Sequence, residues 1–119
     1  MTSFAAECRL AEVVPSPNFG ERIGVTRPDI LLLHYTGMPT GEGAQAWLCN
    51  PDSQVSSHYI VHEDGRVVQM VPEDRRAWHA GQSSWAGETD INSRSIGIEI
   101  ANAGHPAGLP DYPDRQIES

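Results

Sequence analysis

Cysteine is scarce. The 119 residues hold two, Cys8 and Cys49, with no CxxC and no dense spacing. That argues against a disulfide framework and excludes a metal site made of thiolates alone. Two reduced thiols fit a reducing compartment. Long apolar runs are also missing, and no stretch approaches the roughly 20 residues a membrane-spanning helix needs. Residues 1–10 have neither a basic start nor an apolar run of signal-peptide length, so a cytoplasmic location is expected. Positive charge is in deficit: 8 Lys and Arg stand against 16 Asp and Glu, for a net charge of −8. The balance argues against nucleic acid and an anionic membrane surface as partners. It leaves a small or carbohydrate-like ligand open.

What is present is organised around Ile30-Leu31-Leu32-Leu33-His34-Tyr35-Thr36-Gly37. Four aliphatic residues in a row read as a strand buried on both faces, in the middle of a sheet. His34 ends that strand, where a sheet opens into loops. Two readings stand for it: a satisfied core or turn histidine, or a site residue. Ser95-Ile96-Gly97-Ile98-Glu99-Ile100 is a second buried strand, extending over about 94–101. Its alternation puts Ile96, Ile98 and Ile100 on one face, and Gly97 and Glu99 on the other. Gly97 leaves room for another backbone to approach.

Residues 1–28 read as a Pro-rich, irregular surface arm with a few apolar anchors. A short helix is expected over 44–49, stopped by Asn50-Pro51, with Ala44, Trp47 and Leu48 packing on the sheet. Glu63-Asp64-Gly65 separates two β-rich runs, 57–62 and 66–71, and predicts a tight hairpin. Trp78-His79-Ala80-Gly81 falls in or just before a loop running to Asn92. Tyr112-Pro113-Asp114 looks like a helix start, followed by about one turn. An isolated turn is not worth forming, so the chain is expected to be the first part of a longer domain, residues 29–119, with 1–28 as its arm.

Several side chains could carry chemistry. His58 and His62 form an H-x-x-x-H pair, but on a strand such residues lie about 13 Å apart, too far to share an ion at about 2 Å. Glu99 is either a carboxylate on a solvated sheet face or a buried general base beside a metal-bound water. Trp78 and His79 either line a groove or cover the rim of the core. His105, in Gly104-His105-Pro106, reads as an exposed loop residue.

Four ordered blocks resemble one family. They are His34-Tyr35-Thr36; Val55-Ser56-Ser57-His58-Tyr59-Ile60-Val61 with Asp64-Gly65; Ala77-Trp78-His79-Ala80-Gly81; and Ser95-Ile96-Gly97-Ile98-Glu99-Ile100. Together they are similar to the zinc-dependent N-acetylmuramoyl-L-alanine amidases of the amidase-2 class, related to peptidoglycan recognition proteins and T7 lysozyme. The resemblance implies an α/β fold with a mixed central sheet flanked by helices, and a zinc ion at the strand ends. It makes His34 a zinc ligand, Glu99 the catalytic carboxylate, and Ala77, Trp78 and His79 substrate contacts. The implied reaction hydrolyses the amide between N-acetylmuramic acid and L-alanine in peptidoglycan or muropeptides. Ser57 stands where some relatives carry a tyrosine, so tyrosine assistance is not expected. The family's later zinc ligands have no counterpart in residues 1–119. They are expected on the remainder of the domain, possibly a separate chain. The alternative is a module that binds muropeptide without cleaving it.

Overall fold

The computed structural model describes residues 4–25, 27–81, 89–104, 108 and 111–118. His105 lies outside them, as do residues 82–88 of the loop expected before Asn92.

The main sheet has five strands in the order β1-β5-β4-β7-β3. They are β1 (Ala11–Val13), β3 (Ile30–Tyr35), β4 (Tyr59–Val61), β5 (Val67–Gln69) and β7 (Ser95–Ile100). Strands β3, β4 and β7 run parallel, β5 is antiparallel to β4, and β1 pairs parallel with β5. The sheet is therefore mixed. A second, two-stranded sheet joins β2 (Phe19–Glu21) to β6 (Arg75–Ala77). The helices are α1 (Gly41–Leu48), α2 (Ile91–Arg94) and α3 (Asp114–Glu118). Among the described residues no helix is long and apolar enough to cross a membrane.

Helix α1 begins where Thr40 accepts the Gly43 N–H at 3.0 Å and ends at Cys49, before Asn50-Pro51. This is a side-chain N-cap followed by a proline stop. Ala44 and Leu48 pack on Ile60, Val68 and Met70 to form the core. The expectation for Trp47 is corrected: it is 47% exposed and lies off the core. The β4–β5 hairpin forms, with Gly65 at φ 89°, a backbone conformation that glycine adopts without steric cost.

Two larger corrections concern the strands. Ile30–Tyr35 is a strand with the expected bounds but stands at the sheet edge, not in its middle. Leu31 and Leu33 are 64% and 58% exposed, so one of its faces is open. Strand β7 is the interior neighbour, paired on both sides between β3 and β4, and β4 is the middle strand. The arm is not wholly irregular, because it supplies β1 and β2. Its Ser16 and Asn18 are buried and bond to backbone carbonyls of Leu48, Asn50 and Val55.

Arg22, just after β2, fastens several segments. Its guanidinium donates to the carbonyls of Glu73 (2.7 Å), Ser93 (2.9 Å) and Ser95 (3.0 Å). Arg22→Ala leaves these acceptors short of donors and is expected to cost on the order of 3 kcal/mol in urea unfolding. Arg22→Lys should restore little, since one ammonium cannot replace the planar fork. A loss below about 1 kcal/mol would contradict this role.

Candidate active site

The parallel register of β3 and β7 makes His34 and Glu99 directly paired neighbours. Alternation puts both, with Gly97, on one sheet face. The side chains of Leu33, Tyr35, Ile98 and Ile100 project to the other face. Glu99 is part of a cavity of about 250 Å³, with Thr36, Met38, Trp47, Ser56, Trp78 and His79 among its lining. Thr36 holds the mouth in shape by bonding both ways to the Asn102 backbone at 3.1 Å.

Glu99 is half-buried, and its Oε2 is buried without a hydrogen-bond partner among the described residues. Burial pushes the carboxyl up to about 7. Unpaired burial disfavours the charged form. A group poised near neutrality can both take and return a proton.

His34 is half-buried, and burial lowers its pKa. Its Nε2 lies 3.1 Å from His79 Nδ1. His79 Nε2 lies 2.9 Å from Ser95 Oγ. Burial first, then the adjacent His34, push His79 down to about 3, so its ring is neutral at pH 7. Its backbone is pinned by Asn92 Oδ1, which accepts the N–H groups of His79 (3.1 Å) and Ala80 (2.8 Å).

The remaining expected residues separate. Trp78 is partly exposed and faces the cavity, its backbone N–H donating to Ser56 Oγ at 3.0 Å. Ala77 is fully buried in β6 and offers no side-chain surface to a ligand. His58 and His62 are core residues. The Gly97 N–H donates to His58 Nδ1 at 3.0 Å, so the proton sits on Nε2, which donates to the Arg75 carbonyl at 2.9 Å. Burial holds His58 down at about 4. With Nε2 a donor, the Arg22 guanidinium 3.3 Å away is a packing contact. His62 Nε2 meets Gln45 Oε1 at 2.7 Å.

Does this site fit a metal? His34 Nδ1 makes no hydrogen bond among the described residues, and Glu99 Oε2 is an orphan on the neighbouring strand. An imidazole nitrogen beside an unpaired carboxylate suits zinc. The set is partial: among the described residues no three His, Cys, Asp or Glu side chains come together to hold an ion.

Sequence reasoning missed the His34–His79–Ser95 contacts and the role of Asn92. A signal existed in Gly97, because a glycine inside a buried strand often marks close approach. The approaching group is a ring rather than a backbone: a Cβ at 97 would lie 2.6 Å from His79 Cγ.

The sequence and the fold are both similar to those of known proteins. The family described as Amidase_2, N-acetylmuramoyl-L-alanine amidase, matches residues 24–119. The 1,6-anhydro-N-acetylmuramyl-L-alanine amidase AmpD of Salmonella typhimurium is 36% identical over 107 residues, covering 76% of this chain and 57% of that protein. N-acetylmuramoyl-L-alanine amidase AmiD of Escherichia coli is 44% identical over 85 residues, covering 66% of this chain and 30% of that one. In three dimensions, a crystal structure of AmpD superposes with TM-score 0.79 at 32% identity, covering 93% of this chain and 69% of that one. The AmiD complex with anhydro-N-acetylmuramic acid-L-Ala-D-gamma-Glu-L-Lys gives 0.68 at 33% identity, covering 85% and 48%. The chain thus spans 57% of the length of the curated AmpD relative. With the family match running from residue 24 to 119 and the mixed sheet in common, the chain belongs to the Amidase_2 family of N-acetylmuramoyl-L-alanine amidases.

Proposed function

We propose that this chain carries one side of the active site of a zinc-dependent amidase, which hydrolyses the bond between N-acetylmuramic acid and L-alanine in peptidoglycan or muropeptides. The observation that carries the reading is the His34–Glu99 pair: from facing positions of adjacent strands come an imidazole with one nitrogen free and a raised carboxyl with an unpaired oxygen, both among the described residues. A module that only binds has no use for an unpaired buried carboxylate, which costs stability. The named relatives, AmpD and AmiD, are amidases of this bond class.

Zinc would be held by His34, and when bound it supplies a Lewis acid and a water of lowered pKa. Glu99 removes the proton from the attacking water and hands it to the leaving amine of L-alanine. Burial tunes it for this by bringing its pKa near 7. Trp78 offers an apolar wall to the muramyl or peptide portion of the substrate, and the exposed edge of His79 lines the same cavity. We further propose that the remaining ligands come from residues outside the described ones, which by themselves bring no three such side chains together.

Metal analysis tests the reading. The full-length protein should carry about one zinc per catalytic domain and lose hydrolysis on chelation. Full activity after complete zinc removal would refute it. Trp78→Ala should raise KM about tenfold with kcat little changed, as expected when binding common to ground and transition states is lost. A lowered Tm with unchanged KM would instead make Trp78 a core residue.

A further inference from the structure

The contacts that His79 makes with His34 and Ser95 have no part in the proposed chemistry, yet they are closely built. His79 sits beneath β7 in a space that exists because residue 97 is glycine, where a Cβ would lie 2.6 Å from the ring. Asn92 grips the backbone on both sides of the ring. Ser95 is fully buried, and its hydroxyl meets His79 Nε2 at 2.9 Å. At the far end His79 Nδ1 meets His34 Nε2 at 3.1 Å.

Two neutral imidazoles in this line can share their protons in only two directions. In one, Ser95 donates to His79 Nε2 and His79 Nδ1–H donates to His34 Nε2. The His34 proton is then on Nδ1, and His34 has no free lone pair. In the other, His34 Nε2–H donates to His79 Nδ1, and His79 Nε2–H donates to Ser95 Oγ. His34 Nδ1 is then bare and aimed by the ring's fixed orientation. Metal-binding histidines commonly donate their second N–H to an outer acceptor that fixes tautomer and rotation.

We propose that His79 and Ser95 are positioning residues that lock His34 in the Nε2–H tautomer, so that Nδ1 is the atom it presents to a divalent cation. His79 thus serves His34 rather than contacting substrate through its ring nitrogens. The inference rests on the reading of His34 as a metal ligand.

Two measurements test it. Imidazole ¹⁵N–¹H long-range correlation spectra of the zinc-free chain should show both His34 and His79 as Nε2–H tautomers. Ser95→Ala, a small change, should shift a measurable fraction of His79 to Nδ1–H. A wild-type His34 carrying its proton on Nδ1, or a Ser95→Ala spectrum identical to wild type, would overturn the proposal. In the full-length protein, His79→Leu should weaken zinc binding by about 10–100-fold in chelator competition. His79→Asn, which keeps an acceptor near the Nδ1 position, should recover most of that loss. Equal zinc affinity in wild type and His79→Leu would also overturn it, as would failure of Asn to rescue while the variant remains folded. If zinc leaves the His34 resonances unmoved, it is the metal reading that fails, because the tautomer spectra report on the line separately.

Discussion

Glu99→Gln should lower amide hydrolysis by about 10³-fold, within the range for loss of a general acid–base group. The same substitution should make the zinc-free chain more stable at neutral and alkaline pH. Gln keeps the shape of the side chain but can neither take nor return a proton. The stability effect follows from burial. The carboxyl titrates near 7 when folded, against an ordinary value of 4.5. Between those values the folded chain holds a proton that the unfolded chain has released. Stability contributed at this group therefore falls as pH rises from 4.5 to 7, and the cost is complete above 7. Full linkage would give about 3 kcal/mol, reduced to about 1–2 because water still reaches part of the group. Urea titrations of both proteins from pH 4.5 to 8 should show Gln gaining on wild type by that amount. A difference that does not change with pH would mean the carboxylate is solvated, and its candidacy as base would weaken with it.

His34→Ala should reduce zinc affinity of the full-length protein on the order of 10²–10³-fold, as loss of one of a few ligands implies. Hydrolysis should fall with it at limiting zinc. The zinc-free chain should lose little stability, because His34 is half-buried at the exposed end of an edge strand. This separates a ligand from a core histidine. His58 is the contrast: it is fully buried, bonds Gly97 and Arg75, and should cost folding rather than metal when removed. Normal zinc content in His34→Ala would remove His34 from the site.

The sequence made some parts of this molecule legible and hid others for physical reasons. Ile30–Tyr35 and Ser95–Ile100 announce themselves because apolar side chains run through them, and Asp64-Gly65 announces its turn by backbone chemistry. Their order in the sheet is not written in them. A run of four aliphatics suggests burial on both faces, yet Leu31 and Leu33 are mostly exposed on the edge. Strands β1, β2 and β6 have three residues each, too few to display a period, and depend on partners more than 50 residues away. Arg22 looks like any surface arginine until four backbone carbonyls converge on it. For the site, His34 and Glu99 stood at the ends of readable strands, and the register brings them side by side. That His79 would turn back onto His34 was hidden, since it depends on a cradle formed by Gly97, Asn92 and Ser95 from another segment.

The most direct test is product analysis. The full-length protein, loaded with zinc, would be incubated with an anhydro-N-acetylmuramyl tripeptide, and the products identified by mass spectrometry. The account predicts two: the intact anhydro-muramyl sugar and a peptide with a free L-alanine amino terminus, both formed about 10³-fold more slowly with Glu99→Gln. Tight binding of the intact substrate with no cleavage by the wild type would contradict it and leave a muropeptide-binding module.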